Sequence, residues 1–200
     1  MIRWGRFAAA SAYAVLAVAA AFIAVLWRRG SPLVYPTPWL PLSPSESHTY
    51  SLILGLVFGA VIVLGTRMSV TRFSWARELH GELRPIARGI SAVGIVALAV
   101  SSALGEELLF RGLLQPWLGL IPQALLFGVL HQVRGRSRWV WASWATVVGL
   151  ALGAIFELSG SLLGPIVAHA LINGLNLHFL RSYDPEHHRR SLGGLLGQRG

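Results

Sequence analysis

The chain has 200 residues, 54% of them hydrophobic and only 12% charged, with a mean hydropathy of +0.59. A soluble domain carries about 25% charged residues, so a water-soluble globule is excluded and the bilayer is the expected solvent. The net charge of +9 comes from Arg alone, without a single Lys, and there is no Cys. Those Arg residues cluster between apolar runs, a pattern of membrane topology and not of a nucleic-acid-binding face. The missing Cys rules out disulfides, thiol catalysis and Cys-ligated metal.

In chain order, six apolar stretches predict an all-α, polytopic transmembrane bundle of about six spans: Phe7 to Trp27, Tyr50 to Thr66, Gly89 to Leu114, Trp117 to Val133, Trp139 to Glu157 and Ser161 to Leu180. The first run follows Arg3 and Arg6 as a secretory leader would. It is too long for an h-region, however, and ends in Trp27-Arg28-Arg29 without a small-residue cleavage site, so it reads as a retained membrane helix. The fourth opens near Pro116 and Pro122, which blurs its start.

Arg collects at alternate ends of these spans: Arg3 and Arg6; Arg67, Arg72, Arg77, Arg84 and Arg88; Arg134, Arg136 and Arg138; Arg181, Arg189 and Arg190. The positive-inside bias places both termini in the cytoplasm and the Pro/Ser-rich segment Ser31 to Thr49 outside, in a cell membrane. Arg28 and Arg29 run against the pattern and are outnumbered by the five Arg of the next loop. Between spans two and three, Arg72 to Arg88 mixes Phe73, Trp75, Leu79, Leu83 and Ile86 with its charges, as a solvated connector or an amphipathic helix on the inner membrane surface would. The tail from Asp184 is rich in His, Arg and Gly and reads as disordered, His187-His188 included. Three regions result: 1–88 with two helices and a cytoplasmic loop, a core at 89–182, and the tail 183–200.

The third span holds Glu106, Glu107 and Arg111. Each charge costs about 2.5 to 3.5 kcal/mol at the centre of a membrane helix, so such a load implies pairing, inward orientation and a functional site. Glu107 and Arg111 stand four residues apart on one helix face and can neutralise each other, while Glu106 points about 100° away and is left for general-base work. Phe127-Gly-Val-Leu-His131 puts an imidazole at the end of an apolar helix, and His169-Ala-Leu-Ile-Asn173 puts two polar groups on one face of the last span. Alone, each reads as packing or interhelical hydrogen bonding. Together their polar faces hide from lipid only by converging inside the bundle, which gathers the parts for water attack on a carbonyl: a base and oxyanion donors.

These residues resemble the CPBP family, which includes the CAAX-type endopeptidases: Glu106 to Arg111 matches EExxxR, Phe127 to His131 FxxxH, and His169 to Asn173 HxxxN. Gly112-Leu-Leu-Gln115 and Ser161, Leu162 and Pro165 agree with the flanking contexts, and the likeness covers about Ser101 to Leu180. The resemblance implies an intramembrane endopeptidase acting on membrane-associated peptides or proteins. In it Glu106 and His131 activate water, His169 and Asn173 stabilise the oxyanion, and Arg111 holds Glu107. The family is often called metalloprotease, and Glu106, His131 and His169 are a donor set for a divalent ion such as Zn²⁺, while the HExxH signature is absent. The alternative within the family is a non-proteolytic immunity or scaffold protein using the same polar core to bind. A transporter would call for internal repeats, and none is evident. No motif sets the oligomeric state or the substrate.

Overall fold

The computed structural model describes residues 3–131 and 135–185. The expectations for Arg134 and for the tail from residue 186 lie outside the described residues. The chain forms helices α1 (Arg3–Arg28), α2 (Pro44–Arg72), α3 (Ser74–Arg88), α4 (Ala92–Glu107), a π-helical segment (Leu108–Leu114), α5 (Gln115–Leu118), α6 (Leu120–Leu130), α7 (Arg138–Ser159) and α8 (Leu163–Ser182). It is an all-α polytopic bundle. Among the described residues, five helices are long and apolar enough to cross a membrane, with α4 running on through the π segment and α5 as one rod, Ala92–Leu118.

The fourth expected span is the one that differs. Gly119, at φ 87°, breaks the chain after Leu118, which gives Trp117 and Leu118 to the preceding rod and leaves α6 with 11 residues. At 1.5 Å per residue it is about 16 Å long, half of a hydrocarbon core of about 30 Å. It still reverses the chain. Gly128 faces Ala142 and Thr146, Ala124 and Phe127 face Gly149, and Leu120 faces Gly153, so α6 lies antiparallel to α7. The last helix ends where α4 begins, as Arg181 donates to the Ile90 carbonyl at 3.1 Å.

Helix α2 begins six residues earlier than hydropathy suggested. Pro44 occupies its first turn, and Ser43 donates from its backbone N–H to Glu46 at 2.8 Å in a capping box. Small residues let it lie against α8, with Gly55 on Gly164 and Gly59 on Ala168. The Pro/Ser-rich segment before it is tied down: Tyr35 N–H donates to Gly160 O and Leu162 N–H to Leu33 O, both at 3.0 Å.

Helix α3 is amphipathic, as one of the two readings of its sequence had it. Ala76, Leu79, His80, Leu83 and Ala87 are buried against the bundle, while Phe73, Trp75 and Ile86 face outward. Glu82 accepts the backbone N–H groups of Arg136 and Ser137 at 3.1 and 3.2 Å, linking α3 to the start of α7. His80 Nε2 meets the Tyr183 carbonyl at 3.1 Å, linking it to the end of α8.

Candidate active site

Glu106 and Glu107 close α4 where it passes into the π segment. Both are buried, and Arg111 inside that segment is fully buried. The wider π turn brings Arg111 and Gln115 to successive levels of α7: Arg111 Nη2 donates to Gly149 O and Gln115 Nε2 to Gly153 O, each at 3.0 Å. Glycine at 149 permits this, because a Cβ there would stand 3.1 Å from Phe127 Cδ1 and 3.4 Å from Arg111 Nη2.

Arg111 Nη1 binds Glu107 Oε1 at 3.0 Å, the pair expected from their spacing, and its guanidinium lies 4.5 Å from the centroid of the Phe127 ring. The same Glu107 oxygen is 2.7 Å from His169 Nδ1, so Glu107 also anchors an imidazole, a contact that i,i+4 reasoning within one helix cannot see.

Glu106 faces elsewhere. Its Oε2 lies 3.2 Å from His131 Nε2 and 3.7 Å from His169 Nε2. His131 Nδ1 is 2.8 Å from the Phe127 carbonyl. Since a carbonyl only accepts and an ion-paired carboxylate only accepts, both Nδ1 atoms carry their proton, and both Nε2 atoms point at Glu106. Asn173, four residues after His169, donates from Nδ2 to Ser102 Oγ at 3.0 Å. All six residues singled out in the sequence thus meet in one place. Phe127 does more than space His131: its ring lies 4.1 Å from that imidazole and 4.9 Å from Phe110, centroid to centroid.

Sequence reasoning missed two partners. Tyr13 of α1 donates its hydroxyl to Glu106, and α1 comes so close that a Cβ on Gly105 would meet the Tyr13 carbonyl oxygen at 2.8 Å. A lone hydroxyl-bearing ring in an Ala/Val-rich span was the available signal. Ser102 stands one turn before Glu106, and only the fold shows that it receives Asn173. A second buried polar group lies further along the rod, where Glu157 Oε1 accepts from Gln115 Nε2 at 3.1 Å and from the Tyr35 hydroxyl at 2.9 Å.

The two imidazoles have the chemistry of ligands, with Nδ1 held by oxygen and Nε2 turned inward. Yet no group of three or more His, Cys, Asp or Glu among the described residues is placed to hold a metal ion, the set Glu106, His131 and His169 included.

Residues 88–175 match the family described as Type II CAAX prenyl endopeptidase Rce1-like. The chain is 34% identical over 118 residues to the uncharacterized protein YpbD of Bacillus subtilis (strain 168), a match covering 58% of this chain and 62% of that protein. The chain thus spans less than two thirds of the length of that relative. No solved structure matches it significantly. Glu106, Glu107, Arg111, His131, His169 and Asn173 all fall inside the stretch that is similar to the Rce1-like type II CAAX prenyl endopeptidases.

Proposed function

We propose that the chain is an intramembrane endopeptidase that hydrolyses peptide bonds of membrane-associated peptides or proteins by a Glu106-activated water. The single observation that carries this reading is the meeting of Glu106 Oε2 with His131 Nε2 at 3.2 Å inside an otherwise apolar bundle. A carboxylate oxygen and an unprotonated Nε2 are both acceptors until one of them takes a proton. Two such groups side by side are suited to take one from water.

As water attacks the carbonyl carbon, its proton passes to the Glu106–His131 pair. The oxyanion that forms is stabilised by the Asn173 amide, whose Nδ2 has a second N–H besides the one given to Ser102, and by the His169 imidazole, held in place by Glu107. Collapse of the tetrahedral intermediate breaks the C–N bond, and the stored proton goes to the leaving amine. Arg111 pairs with Glu107 and fixes it, and the hydroxyl of Tyr13 orients Glu106.

The decisive test is cleavage of a peptide panel by the purified protein beside Glu106→Gln. Loss of at least about 10²-fold in turnover with the fold intact is the expected outcome. Equal turnover by the variant overturns the mechanism. Comparing membrane proteomes with the native and Glu106→Gln proteins then names the substrate.

The proposal carries a topology: a multi-pass protein of the cell membrane with both termini in the cytoplasm and the segment before α2 outside. The Arg clusters support it, as does the reversal of direction at α6. Reporter fusions at Pro44 and at the C-terminus check it, and an inside signal at Pro44 inverts it. On this reading the core at 89–182 carries the catalysis, and 1–88 contributes its two helices, α3 and Tyr13.

A further inference from the structure

Ser102 lies on α4 outside the three motifs and is buried. Two i,i+4 pairs face each other at this place: on α4 Ser102 stands four residues before Glu106, and on α8 Asn173 stands four after His169. Rising numbers on α4 meet falling numbers on α8, so the pairs form two rungs one turn apart. Glu106 Oε2 lies 3.7 Å from His169 Nε2, and Ser102 Oγ lies 3.0 Å from Asn173 Nδ2.

The direction of the second contact is fixed by what Ser102 does with its own proton. Its hydroxyl donates to the Ala99 carbonyl at 3.3 Å, a common way for serine to satisfy itself inside a helix. The oxygen can then only accept from Asn173, which must turn Nδ2 and not Oδ1 toward it. That choice matters, because the last torsion of an Asn side chain is broad and roughly two-fold. With Nδ2 held, the second N–H is fixed in the same amide plane. Turned over, the amide would set its carbonyl dipole against an oxyanion. Ser102 is no nucleophile itself, since its proton goes to a carbonyl and not to a base.

We propose that Ser102 is a positioning residue, which selects the amide orientation in which Asn173 donates its free N–H to the developing oxyanion. The inference rests on the endopeptidase reading and adds to it a residue outside the motifs. The oxyanion exists only on the way through the tetrahedral intermediate, so misaligning its donor lowers kcat and leaves KM close to native. Removing an oxyanion donor outright costs about 10²- to 10³-fold. A donor that is kept but free to turn should cost less, roughly tenfold.

The test uses the full chain in lipid nanodiscs and a peptide that the native protein cleaves. Ser102→Ala should lower kcat roughly tenfold at near-native KM. Ser102→Cys nearly keeps the volume but offers only a weak acceptor, and should lose as much, whereas Ser102→Thr keeps the hydroxyl and should recover most of the rate. Ser101→Ala removes a hydroxyl that donates to Leu98 O within its own helix, and should leave turnover unchanged. In an Asn173→Ala background, adding Ser102→Ala should cost nothing further, because both changes remove one interaction. Equal losses in the two backgrounds, or native kcat in Ser102→Cys, overturn the proposal.

A second arm does not depend on cleavage. NMR spectra of the Asn-labelled protein follow the side-chain amide of Asn173, identified by its disappearance in Asn173→Asp. The proton given to Ser102 should lie downfield in the native protein and move upfield in Ser102→Ala and Ser102→Cys, but not in Ser101→Ala. An amide that stays in place in Ser102→Ala overturns the proposal whatever is cleaved. If the amide moves while kcat stays native, the bond serves packing alone and the proposal is again overturned. If the amide moves and the native protein cleaves no peptide, the endopeptidase reading fails while the hold of Ser102 on Asn173 stands.

Discussion

His169 and Arg111 share one oxygen of Glu107: the imidazole Nδ1 is 2.7 Å from Oε1 and the guanidinium Nη1 is 3.0 Å from it. Glu107 is therefore more than the counter-charge that its i,i+4 spacing implies. It joins a helix-internal ion pair to a ring on another helix, and it fixes which nitrogen of His169 carries the proton.

Glu107→Gln tests this double role. A neutral amide still fills the space, but it holds Arg111 and His169 without a charge, and its own N–H₂ group competes with their donors. Turnover should fall by about 10- to 100-fold, the usual effect of removing a partner that orients a catalytic imidazole. Thermal unfolding and assays on the same purified sample separate the lost activity from lost fold. Unchanged turnover would mean that His169 needs no anionic anchor.

Arg111→Ala should act mainly on stability. The guanidinium is fully buried, binds Glu107 and Gly149 O, and covers the Phe127 ring. Removing it strands a buried carboxylate, at a cost of about 3 to 5 kcal/mol. Folded protein recovered from membranes should drop steeply. Arg111→Lys should rescue it poorly, because a single ammonium does not reproduce the planar fork that reaches both Glu107 and the Gly149 carbonyl. Normal accumulation of Arg111→Ala with selective loss of activity would assign Arg111 to the reaction itself.

Much of this site was legible because burying charge in lipid is so costly that Glu106, Glu107 and Arg111 announce themselves in one apolar span. Their convergence with His131, His169 and Asn173 follows from the same penalty, since polar faces have only the bundle interior in which to hide. What stayed hidden depends on pairing between helices. Tyr13 lies more than ninety positions before Glu106, and only the close approach of α1 at Gly105 brings them together. The shortened α6 was obscured for another reason: hydropathy reads across Gly119, whereas its left-handed φ of 87° ends one helix and starts the next. The π segment left no mark in the sequence pattern, because apart from Arg111 its residues keep the apolar composition of the α-helix before it.

His80 gives α3 a pH-dependent anchorage. Burial pulls its pKa below the ordinary value, and Arg84 adds to this, against the opposing pull of the Tyr183 carbonyl and Asp184. The packed helix therefore holds the neutral ring, while a detached α3 would titrate near 6.5. Docking stability from this group is complete above about pH 6.5 and is lost as pH falls from there toward the lower folded value, because only the detached form binds the proton in that window. Thermal stability followed from pH 8 to pH 5 should decline over this range. In His80→Phe, whose ring can still pack on Phe179 and Tyr183, that part of the decline should vanish. An identical slope in both proteins would place the titration elsewhere.

The contribution of α1 can be isolated with Tyr13→Phe. The substitution keeps the ring against α4 and removes only the hydroxyl that donates to Glu106. A hydrogen bond to a charged group contributes about 1.5 to 3 kcal/mol, so its loss leaves the carboxylate less firmly aimed at the attacking water. The expected result is a fall in kcat of about tenfold, with KM and folded yield close to native, because no partner of the substrate has changed. A rise in KM at constant kcat would move Tyr13 from orienting the base to contacting the peptide. Full activity would make α1 a packing element alone, and would return the catalytic centre to residues 88–175 that match the family.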